Sequence, residues 1–587
     1  MHVLATAGHV DHGKSALVQA LTGMQPDRWR EERRRGLTID LGYVWTTLPD
    51  GAELAFVDVP GHERFIGNTL AGLGPVPAVL FVVAADEGWS AQSTEHLAAI
   101  DALGLRHGLL AVTRSDLADP AATRSDALEH LARSSLGQVS SVATSVVTGA
   151  GLDELRGALG ALVARLPAAD PHARLRLWVD RAFTVRGSGT VVTGTLGAGT
   201  VRRGDTVRLG DRRVVIRGVQ SLGADRDEVS GVARVALNLR GVAANEIARG
   251  DVLLGPGTWH TTRSLDVRLN LTARVERLPA AAVLHVGTLA VPVHVRPLGT
   301  HTARLTLGRE LPLLAGDRAV LRDPGRHVVA GGVEVLDADP PELRRRGAAR
   351  ERAAELAAGR PDPLCEITRR RAVTRDHLTA LGIDVPDLPE LHEYAGWVVT
   401  DSAWRAWVSA APHLVVQWAA AHPLDPAMPH AAITQRLGLP DEALLGPVLA
   451  AAGLTERGGR VAVPRTDAPA ETLGPAEDSV RTLEARLRER PFDAPDRDEL
   501  RGLQLGNREL AAAEKAQRLL RIDADIVLRP DAPGIAVERL RALAQPFTTS
   551  QARQALETTR RVAIPLLEFL DALGHTRRDA EGSREVV

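Results

Sequence analysis

Short, almost wholly apolar runs recur at residues 3–7, 54–57, 78–83 and 108–112. Continuous apolar runs bounded by polar loops read as strands covered on both faces. The segments between them repeat apolar residues at helical spacing, as in Ala16-Leu17-Val18-Gln19-Ala20-Leu21. This alternation predicts an α/β doubly wound domain over residues 1–170, with its ligand at the carboxyl edge of the sheet. From residue 171 the pattern shortens to alternating runs and Gly-rich turns, such as Gly189-Thr190-Val191-Val192-Thr193-Gly194 and Asp205-Thr206-Val207-Arg208-Leu209. Two closed β-barrels are expected, over 171–258 and 259–340. Pro340-Pro341-Glu342-Leu343 then marks a boundary. Beyond it a unit of helix, turn, second helix and two brief strands recurs. Copies start at His430 and Arg497 and at Thr548-Thr549-Ser550, with a noisier one over 346–410. The repeat predicts an α+β tail of four winged helices, at 341–412, 413–470, 471–530 and 531–587.

The chemistry concentrates in the first domain. Gly8-His9-Val10-Asp11-His12-Gly13-Lys14-Ser15 matches G-x-x-x-x-G-K-[ST] and sits between a predicted strand and a predicted helix. Backbone N–H groups of such a loop point at phosphate oxygens. Lys14 is expected to reach the β- and γ-phosphates, and Ser15 to place its hydroxyl on Mg²⁺. Arg33-Arg34-Arg35-Gly36-Leu37-Thr38-Ile39-Asp40 reads alone as a solvated basic turn. Its place after the first helix assigns Thr38 to Mg²⁺ and the γ-phosphate, an order that holds only with a triphosphate. Asp58, in Asp58-Val59-Pro60-Gly61-His62-Glu63, is placed to hold the Mg²⁺ shell, and Gly61 to offer an N–H to the γ-phosphate. His62 is the candidate that orients the attacking water, since phosphoryl transfer depends mainly on positioning and charge. Thr113-Arg114-Ser115-Asp116 ends the fourth apolar run. A carboxylate at Asp116 can accept from guanine N1–H and N2–H, which adenine cannot supply. Thr113 and Arg114 stand where many GTPases have Asn and Lys, with the Arg114 stem expected to cover the base. Ser145 opens a further base-contacting loop. The expected ligands are GTP or GDP and Mg²⁺, and the expected reaction is GTP hydrolysis.

Composition narrows this reading. The 587 residues suffice for several domains, and a net charge of −2 gives no global sign of nucleic acid, so any such site is local. The single cysteine, Cys365, excludes an intrachain disulfide and a Cys-based zinc site and suits a reducing compartment. The N-terminus runs straight into a strand and no apolar run is long enough to span a bilayer, so a cytoplasmic monomer without membrane contact is expected. Lysine and arginine together number 71, yet only Lys14 and Lys515 are lysines. The chain keeps a compact point charge where phosphates favour one over a planar fork.

Ala7-Gly8-His9-Val10-Asp11-His12-Gly13-Lys14-Ser15, Arg35-Gly36-Leu37-Thr38-Ile39-Asp40-Leu41-Gly42-Tyr43 and Phe56-Val57-Asp58-Val59-Pro60-Gly61-His62-Glu63-Arg64-Phe65 resemble the translational GTPases. Within that class they are similar to the bacterial selenocysteine-specific elongation factors, the SelB family. The resemblance is strong over residues 1–255, weaker to 340, and returns at the C-terminus. It implies a P-loop GTPase that carries selenocysteyl-tRNA to the ribosome at a recoded UGA codon. It further implies an apolar gate of Val10 and Leu37 flanking His62.

Asp180-Arg181-Ala182-Phe183-Thr184-Val185 and Arg234-Val235-Ala236-Leu237-Asn238 match segments lining the family's aminoacyl pocket. The resemblance thus implies that Arg181 and Arg234, held by Asp180, receive a selenolate through charge-assisted contacts and disfavour serine. By residue type alone, a surface salt bridge between Asp180 and a nearby arginine fits better, since exposed ion pairs are common.

In the last module, the resemblance assigns Arg560, Arg561, Arg577 and Arg578 to an mRNA hairpin, with Thr558-Thr559 capping the helix and Pro565 bending or shortening it. Asp579, Glu581 and Glu585 follow closely, so charge alone fits a solvated face as well. Two other readings stand beside this one: a general aminoacyl-tRNA carrier, and a regulatory GTPase subunit of a sulfate-activating enzyme. Arg181 and the four-module tail argue against them.

Overall fold

The computed structural model describes residues 1–26, 38, 40–271, 280–326, 328–360, 362–385, 387–422, 425–462, 473–580 and 582–587. Contacts divide the chain into two units, Met1–Arg369 with Thr374–Pro386, and Arg370–Val373 with Asp387–Val587.

The first unit opens with strands β1 (His2–Ala7), β2 (Gly42–Thr47), β3 (Glu53–Asp58), β4 (Ala78–Ala84), β5 (His107–Thr113) and β6 (Ser140–Ala143). Helices α1 (Lys14–Thr22), α2 (Ile66–Leu73), α3 (Ala91–Leu103), α4 (Pro120–Ala132) and α5 (Leu152–Val163) accompany them. The sheet runs β2-β3-β1-β4-β5-β6. All neighbours are parallel except β2 and β3, which form an antiparallel hairpin. Their connection is too short for a parallel crossover, and Gly51 turns it at φ 85°. One hydrophobic cluster covers each face, and β4 is buried along its whole length because it lies between both. The apolar runs at 3–7, 54–57, 78–83 and 108–112 are therefore the buried strands. The half-exposed edge strand β2 has no such run.

The first β domain holds β7 (Arg176–Trp178), β8 (Arg181–Val185), β9 (Gly189–Leu196), β10 (Thr200–Arg202), β11 (Thr206–Leu209), β12 (Arg212–Ser221), β13 (Ala224–Arg226), β14 (Glu228–Ser230), β15 (Ala233–Arg240) and β16 (Val252–Leu254). Its ladder runs β7-β16-β11-β12-β15-β9-β8, with β13 on β12 and a separate β10–β14 ribbon. The hydrogen-bonded ladder ends at β7 and β8, which follow one another directly in the chain. Consecutive strands occupy opposite edges because the chain steps across at Val179-Asp180. The Val179 N–H donates to Asp251 O on one edge and the Asp180 N–H to Thr193 O on the other. The second β domain is a closed barrel of β17 (Thr262–Leu271), β18 (Ala281–Val286), β19 (Leu289–Pro297), β20 (Thr302–Leu311), β21 (Arg318–Asp323) and β22 (Val328–Asp337), in the order β17-β20-β19-β18-β21-β22.

The second unit repeats helices followed by a two-stranded wing. Helices His430–Leu437 and Leu445–Ala451 precede the hairpin Thr455–Arg457 and Arg460–Ala462. Helices Glu477–Glu489, Arg497–Gly502 and Asn507–Lys515 precede Leu520–Asp523 and Ile526–Leu528. The last module has helices Ala532–Arg541, Thr549–Ala555 and Arg560–Ala572, then Thr576–Arg578 and Arg584–Val586. Helix Asp401–Ala421 runs unbroken through Pro412, so the 412/413 division read from the pattern falls inside one helix. The helix over 560–572 likewise continues through Pro565 without being shortened. Among the described residues no helix is long and apolar enough to cross a membrane.

Candidate functional site

A cavity of about 520 Å³ lies at the carboxyl ends of β1 and β5, lined among others by Val10, Asp11, Gly13, Lys14, Ser15, Thr38, Gly61, Thr113, Arg114, Asp116, Val146 and Val147. Residues far apart in sequence thus meet where a doubly wound sheet binds its ligand. The loop is held by features that demand glycine. Gly8 has φ 128°, and a Cβ there would lie 2.1 Å from Val82 O. Gly13, at φ 80°, opens α1. A Cβ on Gly61 would lie 2.5 Å from both Lys14 Nζ and Val10 N, so only glycine lets residues 58–62 pack onto the loop.

Within this cradle Lys14 Nζ donates to His9 O at 2.6 Å. Burial pulls the ammonium pKa down to about 8, against the pull of Asp58 and Asp11. Ser15 Oγ donates to Asp58 Oδ2 at 2.6 Å and lies 3.0 Å from Thr38 Oγ1. Thr6 Oγ1 fixes the other carboxylate oxygen of Asp58 at 2.7 Å. Two hydroxyls and a carboxylate converging on one point form a hard-oxygen donor set, which suits Mg²⁺.

The base end is also assembled. Thr113 Oγ1 donates to His12 O at 2.7 Å, so its hydroxyl ties β5 to the loop. Arg114 pairs with Asp86 at 3.0 Å and Glu87 at 2.7 Å and donates to Asp11 O. Asp116 lines the cavity beside it. Ser145 is buried behind Val146 and Val147, and its Oγ accepts from the Thr148 N–H at 3.2 Å.

One expected residue stands elsewhere, and another lies outside the described residues. His62 follows Gly61, but its ring lies against Phe65 with centroids 6.0 Å apart, and Nδ1 accepts from the Arg64 N–H. It is not among the residues lining the cavity. Leu37, the partner of Val10 in the expected gate, lies outside the described residues.

His12 and His96 are buried beneath the loop. Burial pushes His12 down to about 4 and His96 to about 3, and His96 Nδ1 accepts from the Gly8 N–H at 3.0 Å. Histidines with depressed pKa values favour the fold fully above their unfolded value near 6.5, and that contribution is lost as pH falls toward the folded values. Protection of the α/β-domain amides against hydrogen exchange is therefore expected to fall by roughly 3–4 kcal/mol between pH 7 and pH 5, about 2 for each histidine. A loss below about 0.5 kcal/mol over that interval would contradict the buried neutral pair.

A second site lies where the α/β domain meets the first β domain, as a cavity of about 220 Å³ lined by Tyr43, Trp45, Arg181, Phe183, Thr193 and Arg234 among others. Arg234 grips Asp180 with both terminal nitrogens, Nη2 to Oδ1 at 2.9 Å and Nη1 to Oδ2. Thr193 Oγ1 and the Tyr43 hydroxyl donate to the same carboxylate at 2.6 and 3.3 Å. Burial alone pushes the Asp180 carboxyl up, but the adjacent Arg234 guanidinium holds it below the usual carboxylate range. The Arg234 guanidinium stacks 3.6 Å over the Tyr43 ring, and that of Arg181 lies 5.5 Å from the same ring. One expectation is corrected here: Asp180 holds Arg234, whereas Arg181 pairs with Asp40 at 2.8 Å and donates to Leu41 O. The cause is strand position, since Arg181 starts β8 on the side facing residues 40–43. Tyr43 and Asp40 were not among the expected site residues. The signal for Tyr43 was its rarity, as one of two tyrosines in the chain.

The four C-terminal arginines do not share one role. Arg561 is committed to the carbonyls of Ala494, Pro495 and Asp525, and Arg577 pairs with Glu585. All four are exposed. Thr559 occupies the N-cap position without a side-chain cap, and Thr558 Oγ1 instead donates to Phe492 O at 2.7 Å.

Comparison with known proteins agrees with this geometry. The family model for the elongation factor Tu GTP-binding domain matches residues 1–168. That for the selenocysteine-specific elongation factor β-barrel domain matches 262–342, and that for the elongation factor SelB winged helix matches 538–584. Elongation factor Tu 2 of Streptomyces avermitilis is 30% identical over 376 residues, covering 57% of this chain and 96% of that protein. The chain belongs to the SelB family of translational GTPases. A selenocysteine-specific elongation factor of Desulfomicrobium baculatum is 33% identical over 393 residues, or 64% of this chain. The match spans 62% of that SelB relative's length. A crystal structure of a bacterial selenocysteine-specific elongation factor, EF-Sec, aligns over 100% of both chains with a TM-score of 0.73 and 25% identity.

Proposed function

We propose that this SelB-family chain binds GTP or GDP with Mg²⁺ at the 520 Å³ cavity and selenocysteyl-tRNA at the arginine pocket. It delivers that tRNA to the ribosome at a UGA codon marked by an mRNA hairpin, and GTP hydrolysis releases it. The observation that carries the amino-acid assignment is the buried Asp180–Arg234 pair with Arg181 beside it, around a small cavity. A selenolate is an anion at neutral pH and gains charge-assisted hydrogen bonds there. A serine hydroxyl is neutral and gains only ordinary hydrogen bonds there.

The phosphate end follows from the loop. Lys14 and the loop N–H groups take the β- and γ-phosphates. Ser15, Thr38 and Asp58 would hold Mg²⁺, which spreads the negative charge of the transferring phosphoryl group. Gly61 offers its N–H to the γ-phosphate, and His62 orients the attacking water after its ring turns from Phe65 toward the cavity. Val10 lines that path, with Leu37 as the other side of the gate. Thr113, Arg114, Asp116 and Ser145 enclose the base. In the tail, Arg560 and Arg578 meet hairpin phosphates, and Arg561 holds the module to its neighbour.

The test uses one tRNA charged two ways, with the GTP-analogue form of the full chain. The selenocysteyl form is expected to bind at least about tenfold more tightly than the seryl form, the worth of one charge-assisted contact. Arg181→Ala is expected to erase most of that preference. Equal affinities in the unmodified chain would refute the selenolate pocket.

A further inference from the structure

The contact between Arg181 and Asp40 reaches beyond the pocket. Asp40 stands two residues after Thr38, whose hydroxyl lies 3.0 Å from Ser15 Oγ in the phosphate loop. Its carboxylate engages two arginines of the first β domain, Arg181 Nη2 at 2.8 Å and Arg249 Nη1 at 3.5 Å. Arg249 Nη1 also donates to Asn68 Oδ1 at 2.8 Å, and Asn68 is on α2, just after Gly61 and His62. The segment after Thr38 and the helix after Gly61 and His62 therefore meet at Arg249. Arg249 is itself registered to the pocket, because the next N–H, that of Gly250, donates to Val179 O beside Asp180.

Resting on the selenocysteyl-tRNA reading above, we propose that Asp40 is the positioning residue that aims Arg181 into the aminoacyl pocket, and that Arg249 and Asn68 make this aim depend on the nucleotide. When Thr38 is docked at Ser15, a chain span of two residues fixes Asp40 against Arg181. The Leu41 carbonyl takes a second hydrogen bond from the same guanidinium nitrogen. With one edge of the fork occupied, the remaining N–H groups point in a set direction, so less freedom is lost when an anion binds. When Thr38 leaves the phosphate loop, Asp40 leaves with it, and Arg181 becomes a mobile charge. Selectivity for an anionic amino acid is thus built only in the triphosphate state.

The same contact carries an opposing effect, since a carboxylate near the pocket also repels a selenolate. Asp40→Asn separates the two effects because it keeps an acceptor oxygen and removes the charge. Asp40→Ala removes both.

The experiment measures affinities of the full chain for selenocysteyl- and seryl-forms of the same tRNA, with GDP and with a non-hydrolysable GTP analogue. Asp40→Ala is expected to weaken the selenocysteyl form about tenfold in the GTP-analogue state. The seryl form and the nucleotide itself are expected to change by less than about threefold. Asp40→Asn is expected to restore most of the loss. Arg249→Ala is expected to mimic Asp40→Ala partly and to add nothing to it in the double variant. Equal loss for both aminoacyl forms, no change, or a parallel loss of nucleotide affinity would each overturn the proposal. Tighter selenocysteyl binding by both Asp40 variants would overturn it too, as the signature of repulsion. Failure of the underlying reading looks different: the unmodified chain itself would not prefer the selenocysteyl form.

Discussion

Replacing Lys14 with arginine is expected to lower GTP affinity at least about 100-fold, or about 2.7 kcal/mol, although the charge is kept. Among 71 lysines and arginines only two are lysines, so the substitution asks whether the exception at Lys14 is physical or accidental. The structure supplies the reason it is physical. The side chain is 6% exposed, and Nζ sits 2.6 Å from His9 O. The backbone of Gly61 closes over it so tightly that even a Cβ would lie 2.5 Å from Nζ. A guanidinium is wider than an ammonium and would push Gly61 off the loop, taking the γ-phosphate donor with it. It also cannot lower its charge when buried, whereas burial already pulls the Lys14 ammonium down to about 8. Titration with a fluorescent GTP analogue checks the loss, and circular dichroism checks that the domain still folds. An affinity within about threefold of the unmodified chain would show that any compact cation serves here.

The nucleotide site was legible because its parts are local. A glycine-rich turn, one lysine and one hydroxyl fall within eight consecutive residues, and the loops of Asp58 and Asp116 each follow a buried apolar strand. The sheet edge then brings Thr38, Gly61 and Asp116 to one cavity without further information. What pattern could not show is direction at an edge. Strand β2 is half-exposed and has no apolar run, so neither its antiparallel sense nor the reach of Tyr43 toward Asp180 is written in hydrophobicity. Arg181 illustrates the same limit. Its charge is plain in the sequence, but its partner is set by which side of β8 faces residues 40–43, a tertiary fact. The tail repeats the lesson. Arg560 and Arg561 are adjacent and chemically alike, yet 3.6 residues per helical turn send them to different faces. Both are exposed, and Arg561 turns back to the carbonyls of Ala494 and Pro495. Pro565 does not shorten its helix, and the 412/413 division falls inside a helix that continues through Pro412.

Removing Arg234 is expected to destabilise the first β domain by about 3–5 kcal/mol, the cost of stranding a buried charge. Asp180 is 6% exposed, and Arg234 supplies two of its hydrogen bonds and its only bidentate partner among the described residues. Thr193 and Tyr43 remain as donors in Arg234→Ala, but neither carries charge. The double variant Asp180→Ala with Arg234→Ala is expected to be less destabilised than Arg234→Ala alone, because it removes the stranded charge rather than exposing the carboxylate to an apolar setting. The pH dependence fixes the mechanism by its sign. In the unmodified chain Arg234 holds the Asp180 pKa below its usual value, so its stabilisation is present above about pH 4 and is lost only as pH falls through the lowered value. In Arg234→Ala burial is left to act, and burial raises a carboxyl pKa. The folded state then binds the proton more readily than the unfolded chain, so acidification from pH 7 favours folding of the variant relative to the parent. Hydrogen exchange of amides in β9 and β15, read in the full chain at pH 7 and pH 5, reports this local stability directly. The gap between variant and parent is expected to narrow toward pH 5. A gap that stays constant would mean that Arg234 acts through its stacking on Tyr43 and not through its charge.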